Sequence, residues 1–252
     1  MKDFTRLDET TLARSERLDN ESHPADVGLV SVNTGIPRII GTTRFGHPIR
    51  SGIVKAPVGD GPLQLTALNL GNDRQADLKV HGGPDKAVYA YPSEHLPRWN
   101  DELGTTFGIG TFGENLTTAG WLEEEVRIGD IWSWGDAVLQ VTQPRSPCYK
   151  LAAVTGRSDL LKRLIRSGRT GWYLRVLQPG LVPVVGPVAV VVQDPAEVTV
   201  LQAHRAVMVN HGDREELERV GSVTSLADAW REAVHDRLER MANRVRPISD
   251  PG

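Results

Sequence analysis

A single cysteine, Cys148, stands in 252 residues, so no internal disulfide can brace this fold. A chain of this length buries ample apolar surface without such staples, and one thiol suits a reducing, cytoplasmic setting. Long apolar runs are missing as well. Nothing approaches the ~20 residues that span a bilayer, and the opening MKDFTRLDETTLARSERLDNESHP lacks the apolar stretch of a signal peptide. Excess charge of one sign is also absent. The 29 Lys and Arg face 32 Asp and Glu, whereas a nucleic-acid binder wants a basic surface. No HExxH motif and no Cys/His pair at zinc spacing occurs, which argues against a metal cage built by protein alone. Repeats are lacking, as are low-complexity tracts beyond a polar leader. These absences predict a soluble cytoplasmic protein with no nucleic-acid or membrane partner.

What is present is a series of short β-branched segments broken by glycine and proline. Strands are predicted in VGLVSV (27–32), around Ile53 and Val54, and in LQLTAL (63–68), VYAY (88–91) and RIGDIWSW (127–134). Three more are AVLQVTQ (137–143), GWYLRVL (171–177) and PVAVVVQ (187–193). Many short strands with turn residues between them suggest a barrel or folded sheet rather than βαβ winding. In AVLQVTQ, Ala137, Leu139 and Val141 share one face. Two helices interrupt the strands. SEHLPRWNDEL has Ser93 as its cap and Leu96, Trp99 and Leu103 on one face; SDLLKRLIRSG has Ser158 as its cap and Gly168 as its stop.

After Asp194-Pro195 the pattern turns helical, in VTVLQAHRAVMV, DREELERV and SLADAWREAVHDRLERMANR, with Asp213 and Ser225 as candidate caps. The predicted fold class is mainly β, a barrel with interspersed helices and a small C-terminal three-helix appendage. The expected divisions are a leader at 1–26, a barrel domain at 27–194, and helices with a tail at 195–252.

Three polar, glycine-bearing clusters lie between the predicted strands, where loops on a rigid scaffold commonly carry sites. The first holds Arg50, Ser51, Gly52 and Lys55. The second, DRQADLKVHGGPDK, holds Asp73, Arg74, Lys79, His81, Gly82 and Lys86, and the third, TFGENL, holds Glu114 and Asn115. Consecutive glycines let backbone approach a ligand and can form an anion nest, although HGG also serves as a plain tight turn. Cys148 sits in QPRSPCYKL, flanked by Arg145 and Lys150. Nearby cations favour thiolate, and Pro144 and Pro147 stiffen the segment. A thiolate held this way can be a nucleophile or a ligand for a soft metal; a lone cysteine is also commonly an inert small hydrophobe.

Taken in order, KVHGGPDKAVYAYP, TFGENL, GDIWSWGDAVLQVTQPRSPCYKL and GWYLRVLQPG resemble the MOSC family, named after the C terminus of molybdenum cofactor sulfurase, and most closely its YiiM-type branch. The resemblance runs from about Val27 to Val192, and the three helices beyond it resemble the 3-alpha appendage of that branch. One departure is Asn72 before Asp73, where the family usually has glycine. The resemblance implies a MOSC-type β-barrel binding the molybdenum cofactor, a metal held by a pterin dithiolene with a phosphate tail. It assigns Cys148 to the metal, and it makes Arg50, Ser51, Lys55, Lys79, Gly82, Lys86 and Arg145 candidates for holding the cofactor. Asn115 and His81 would hydrogen-bond the pterin or the metal's oxo groups, and Glu114 would donate a proton or hold its loop. The family also carries a pyridoxal phosphate association, yet the chain has no pyridoxal-dependent desulfurase domain.

The activity implied is reduction of N-hydroxylated bases such as hydroxylaminopurine, with His81, Glu114 and Cys148 at the reacting centre and a flavoprotein as electron donor. The alternatives are a non-catalytic cofactor carrier or a sulfur-transfer module using a Cys148 persulfide, and a metal-free cysteine hydrolase or transferase. The apolar stripe of the last helix (Leu226, Trp230, Leu238) reads most simply as the packing face of the three-helix unit; the alternative is a docking face for the electron donor or for a second subunit, which would make a homodimer.

Overall fold

The computed structural model describes residues 26–76, 82–209 and 213–245. Seven strands close into a barrel. In order around it they are β1 (Asp26–Thr34), β7 (Leu116–Ala119), β6 (Val88–Pro92), β10 (Trp172–Gln178), β9 (Ala137–Pro144), β8 (Ile131–Trp134) and β12 (Pro187–Val192), with β12 pairing back to β1. All pairs are antiparallel except β6 with β7. Closure removes the exposed edges that invite aggregation. The alternation in β9 places Ala137, Leu139 and Val141 in the interior, beside Leu174 and Val188 and an edge-to-face pair of Trp132 and Trp172 at 5.8 Å.

Outside the closed barrel run the hairpin β2 (Arg38–Thr42) and β3 (Pro48–Ser51), the two-residue β4 (Ala56–Pro57), and the pair β5 (Leu63–Leu65) and β11 (Gly180–Val182). Ile53 and Val54 are not a strand; they are the irregular link between β3 and β4. The β2–β3 hairpin was not predicted.

Three helices pack on one flank: α1 (His95–Leu103), α2 (Tyr149–Thr155) and α3 (Leu160–Ser167). Leu96, Trp99 and Leu103 of α1 join Leu151, Leu160 and Leu164 in a second apolar cluster with Tyr89, Tyr91 and Phe112. Gly168 ends α3 in a left-handed conformation, as expected. Neither Ser93 nor Ser158 is the cap. Glu94 and Asp159 hold those positions in helical conformation without a side-chain hydrogen bond, so these helices start without a cap and rest on their packed faces.

Beyond Asp194 come α4 (Val200–His204), a π-helical turn (Arg205–Val209), α5 (Arg214–Ser222) and α6 (Asp228–Val245). Thr199 starts α4 with a capping box closed by Gln202, and Asp213 caps α5 through Glu216 N at 3.0 Å. Ser225 is not a cap, since α6 begins three residues later and the Ser225 hydroxyl is buried without a partner among the described residues. Val200, Ala203, Leu217 and Trp230 belong to the same apolar cluster as Trp132, so the helices and the barrel share one core. Among the described residues no helix is long and apolar enough to cross a membrane.

Candidate functional site

Strand β9 delivers the chain to the site with a fixed exit. Arg145 N donates to Gly171 O at 3.1 Å. Cys148 is extended (φ −130°, ψ 160°) immediately before α2, and its carbonyl accepts from Leu151 N at 3.1 Å. Gly171 cannot carry a side chain: its φ is +66°, and a Cβ would lie 2.2 Å from Ala90 O. Glu123 holds Gly171 N through one oxygen at 2.7 Å and His95 Nε2 through the other at 2.7 Å. The buried Glu123 therefore anchors the residue that anchors Arg145.

Cys148, half-buried, opens into a pocket of about 70 Å³. Arg145 and Lys150 line it from the same segment, and Lys86 lines it from the 3₁₀ turn at Pro84–Lys86. Tyr89 and Tyr173 form an aromatic wall, with rings 5.2 Å apart. The Arg145 guanidinium lies 5.3 Å from the Tyr89 ring, and its Nη1 is buried without a hydrogen-bond partner among the described residues. Burial opposes the charge on Arg145, but the Tyr89 and Tyr173 phenols and the Cys148 sulfur outweigh it and raise its pKa. Burial pushes the Tyr89 hydroxyl well above its ordinary value and Tyr173 above it too, so both phenols are neutral near pH 7. Burial likewise pulls Lys86 below its ordinary value.

One carboxylate joins the three polar clusters. Asp73 accepts from Lys55 Nζ at 2.6 Å, from Asn115 Nδ2 at 3.0 Å and from Gly35 N at 2.8 Å. Burial lowers the Lys55 pKa against the pull of Asp73. A Cβ on Gly52 would stand 2.1 Å from Arg74 O, so backbone meets backbone beside this ion pair. The left-handed residue of the preceding turn is Gly71 (φ +51°), which leaves Asn72 in an ordinary conformation, exposed. The family's glycine is therefore dispensable here.

Glu114 holds its own loop, accepting from Gly110 N at 2.6 Å, Phe112 N at 3.1 Å and Thr117 Oγ1 at 3.0 Å. Burial raises its pKa. The loop it holds packs tightly on the link after β3: a Cβ on Gly113 (φ +79°) would lie 2.7 Å from Ile53 Cγ1. Ile53 and Lys55 thus form a dividing wall, and on its other side lies a wider cavity of about 680 Å³ reaching Arg38, Ile39 and Ile109.

Of the residues predicted for the site, the pocket gathers Ser51, Lys55, Lys86, Asn115, Arg145 and Cys148. Asn115 lines it with both amide hydrogens already donated, to Asp73 and to Asn33 O. Arg50 is not there; it is exposed on β3, opposite Ile39. Gly82 and Glu114 do not line the pocket, and Lys79 and His81 lie outside the described residues. Tyr89, Tyr173 and Phe112 line it and were not singled out. The available signal was the end of the VYAY and GWYL strands beside glycine-rich loops, where alternate residues must face a cavity. No group of three or more His, Cys, Asp or Glu able to hold a metal occurs among the described residues.

The MOSC domain pattern matches residues 77–193. YiiM of Escherichia coli is 39% identical over 202 residues, covering 79% of this chain and 88% of its own. A protein named reductase from Gibberella moniliformis is 41% identical over 140 residues, 54% of this chain but only 25% of its own length. The crystal structure of YiiM from Geobacillus stearothermophilus superposes with a TM-score of 0.71 at 32% identity, covering 84% of this chain and 99% of that one.

Proposed function

The chain belongs to the MOSC domain family, on its YiiM-type branch, and from that premise we propose that it is a molybdenum-cofactor-dependent reductase of N-hydroxylated compounds such as hydroxylaminopurine. The observation that carries this reading is a lone thiol in a pocket whose lining includes the cations Arg145, Lys150 and Lys86 and the neutral phenols of Tyr89 and Tyr173. A soft thiolate suits molybdenum, and cations suit a dithiolene and its phosphate. That Nη1 of Arg145 has no partner among the described residues supports the same fit, because a buried donor of this kind suits an anionic acceptor. The residues around this space of about 70 Å³ would hold the metal-bearing end of such a group.

When bound, the cofactor supplies two-electron oxygen removal: R–NHOH, two electrons and two protons give R–NH₂ and water. The protein's part is to bind, orient and exclude water. Cys148 Sγ would hold the metal, and Arg145 and Lys150 would balance the negative charge. Tyr173 keeps its proton at the pocket wall across the physiological range, while Phe112 and Ile53 add apolar lining to the same pocket. The name of the fungal relative points to reduction in general; the choice of hydroxylaminopurine rests on the family resemblance.

Purified protein given reduced methyl viologen and hydroxylaminopurine tests this. Aminopurine should form with multiple turnovers. Molybdenum-replete protein that forms none would instead favour the carrier or persulfide reading.

A further inference from the structure

The β2–β3 hairpin has a composition unlike the rest of the chain. From Val27 through Gly59 no Asp or Glu occurs, while Arg38, Arg44, Arg50, Lys55 and His47 do, in a protein whose acids outnumber its bases. Lys55 is taken by Asp73. Arg38, Arg44 and Arg50 are exposed and have no ion-pair partner among the described residues. Large apolar side chains stand exposed between them: Ile36 at 66%, Ile39 at 60% and Phe45 at 72%, the last beneath the Arg44 guanidinium at 4.6 Å. Some exposed cations elsewhere are offset by acids, as in Arg214 with Glu218 and Arg163 with Asp159; others, such as Arg205 and Arg240, lack an ion pair among the described residues but lie in segments that also carry Asp and Glu.

Position gives this surface a use. Strand β2 packs against α2, which begins one residue after Cys148. Two residues past β3, Ile53 lines the thiol pocket and the wider cavity alike. A partner seated on the hairpin therefore reaches Arg38 and Ile39 at the wider cavity, which shares Ile53 and Lys55 with the thiol pocket, whereas the exposed faces of α5 and α6 belong to helices packed on the barrel core.

We infer that the β2–β3 hairpin is the docking surface for the electron donor, an acidic flavoprotein, with Arg38, Arg44 and Arg50 meeting its carboxylates and Phe45 and Ile39 meeting apolar surface between them. The inference rests on the reductase reading above. It completes the balance of that reaction, since a reduced flavin supplies what the substrate consumes: FMNH₂ and R–NHOH give FMN, R–NH₂ and water. Charge complementarity of this kind steers encounter and makes binding salt-sensitive. An anionic membrane would attract the same residues, but contact with the pocket wall favours a redox protein.

Flavodoxin, a small acidic FMN protein, is the probe. Titrated with the full-length chain at ~20 mM salt, it should bind saturably, and binding should weaken steeply at ~200 mM as screening grows. Arg38→Glu with Arg44→Glu should weaken it about tenfold or more, and Phe45→Ser should weaken it at unchanged charge. Arg205→Glu with Arg240→Glu, exposed cations on the helical side, should leave it unaltered. Thermal melts check that each variant is folded. Lack of flavodoxin binding by the wild type overturns the inference, as does equal binding by the hairpin double variant. Hairpin-dependent binding to vesicles of ~30% anionic lipid in place of flavodoxin overturns it in favour of a membrane. Viologen-driven turnover bypasses docking. Its absence in the wild type counts against the reductase reading alone, and the binding result stands apart from it.

Discussion

Arg231 and Arg145 are both drawn into the protein, one at the helical end and one at the thiol pocket, and their guanidiniums meet opposite surroundings. Arg231 donates to four carbonyls, those of Gly221 at 2.9 Å, Val223 at 3.1 Å, Thr224 at 3.2 Å and Leu226 at 3.0 Å. It gathers the C-terminal end of α5 and the turn into α6, satisfying oxygens that the helix leaves unpaired. Arg145 is more deeply buried, at 4% exposure, and still has a nitrogen without a partner among the described residues, in a pocket lined by phenols and a thiol. Arg231 is satisfied by the protein itself, even though Ser225 Oγ beside it has no partner among the described residues. Arg145 is not, and residual hydrogen-bonding capacity on a buried cation facing a cavity is what an anionic ligand completes.

That contrast can be broken by experiment. The largest effect is expected from Cys148→Ser, which should lower viologen-driven reduction by about a hundredfold or more, through loss of the metal's ligand. Its melting temperature should hardly move, because the side chain is half-buried and small. Arg145→Met should reduce molybdenum retention by ~10–100-fold, with stability unchanged or slightly raised, since a partly unsatisfied buried cation gives way to packing of similar size. Arg231→Met should behave in the reverse manner. Denaturant unfolding should show a loss of ~2–4 kcal/mol, from several carbonyls left without a donor, and the folded fraction should keep full turnover. If Arg145→Met and Arg231→Met lose stability and activity alike, the contrast fails.

A smaller, pH-dependent effect lies where the barrel meets the helices. Asp130 is buried and accepts from Arg127 N and Asp194 N, both at 2.9 Å. Burial nevertheless dominates, raising its pKa to about 6. The folded protein thus binds this proton more tightly than the unfolded chain, and stability falls as pH rises from the ordinary carboxylate range through about 6. The loss is ~2–3 kcal/mol by the usual conversion. Asp130→Asn should flatten the stability profile between pH ~4 and ~6, and an unchanged slope would assign it to other groups.

The barrel strands were readable from sequence because their pattern is local. Alternation in AVLQVTQ and the run of VYAY each report burial within a few residues. Gly168 likewise signals a stop by lacking a side chain, which frees it for the left-handed conformation, and Asp213 signals a cap through its own carboxylate. The β2–β3 hairpin hid because Gly41, Gly46 and Pro48 interrupt its alternation, and its faces are mostly exposed, so no apolar period marks them. Helix α2 hid behind Pro147 and its own seven-residue length. Cys148, Arg145, Lys55 and Asn115 could be picked as site candidates from charge and motif. Asp73 could not be ranked above its neighbours, because its role comes from joining Gly35, Lys55 and Asn115, which lie up to 42 positions from it. Arg50 misled for the same reason: adjacency to Ser51 in sequence puts the two on opposite faces of a strand.

The most direct test is the molybdenum content of the freshly purified full-length chain, made in a host that synthesises the cofactor and in one that does not. Near-stoichiometric metal in the first and background in the second, with the first value collapsing in Cys148→Ser, is the result expected. Intact wild-type protein from the cofactor-producing host with molybdenum no higher than background would contradict a metal-holding role for that thiol.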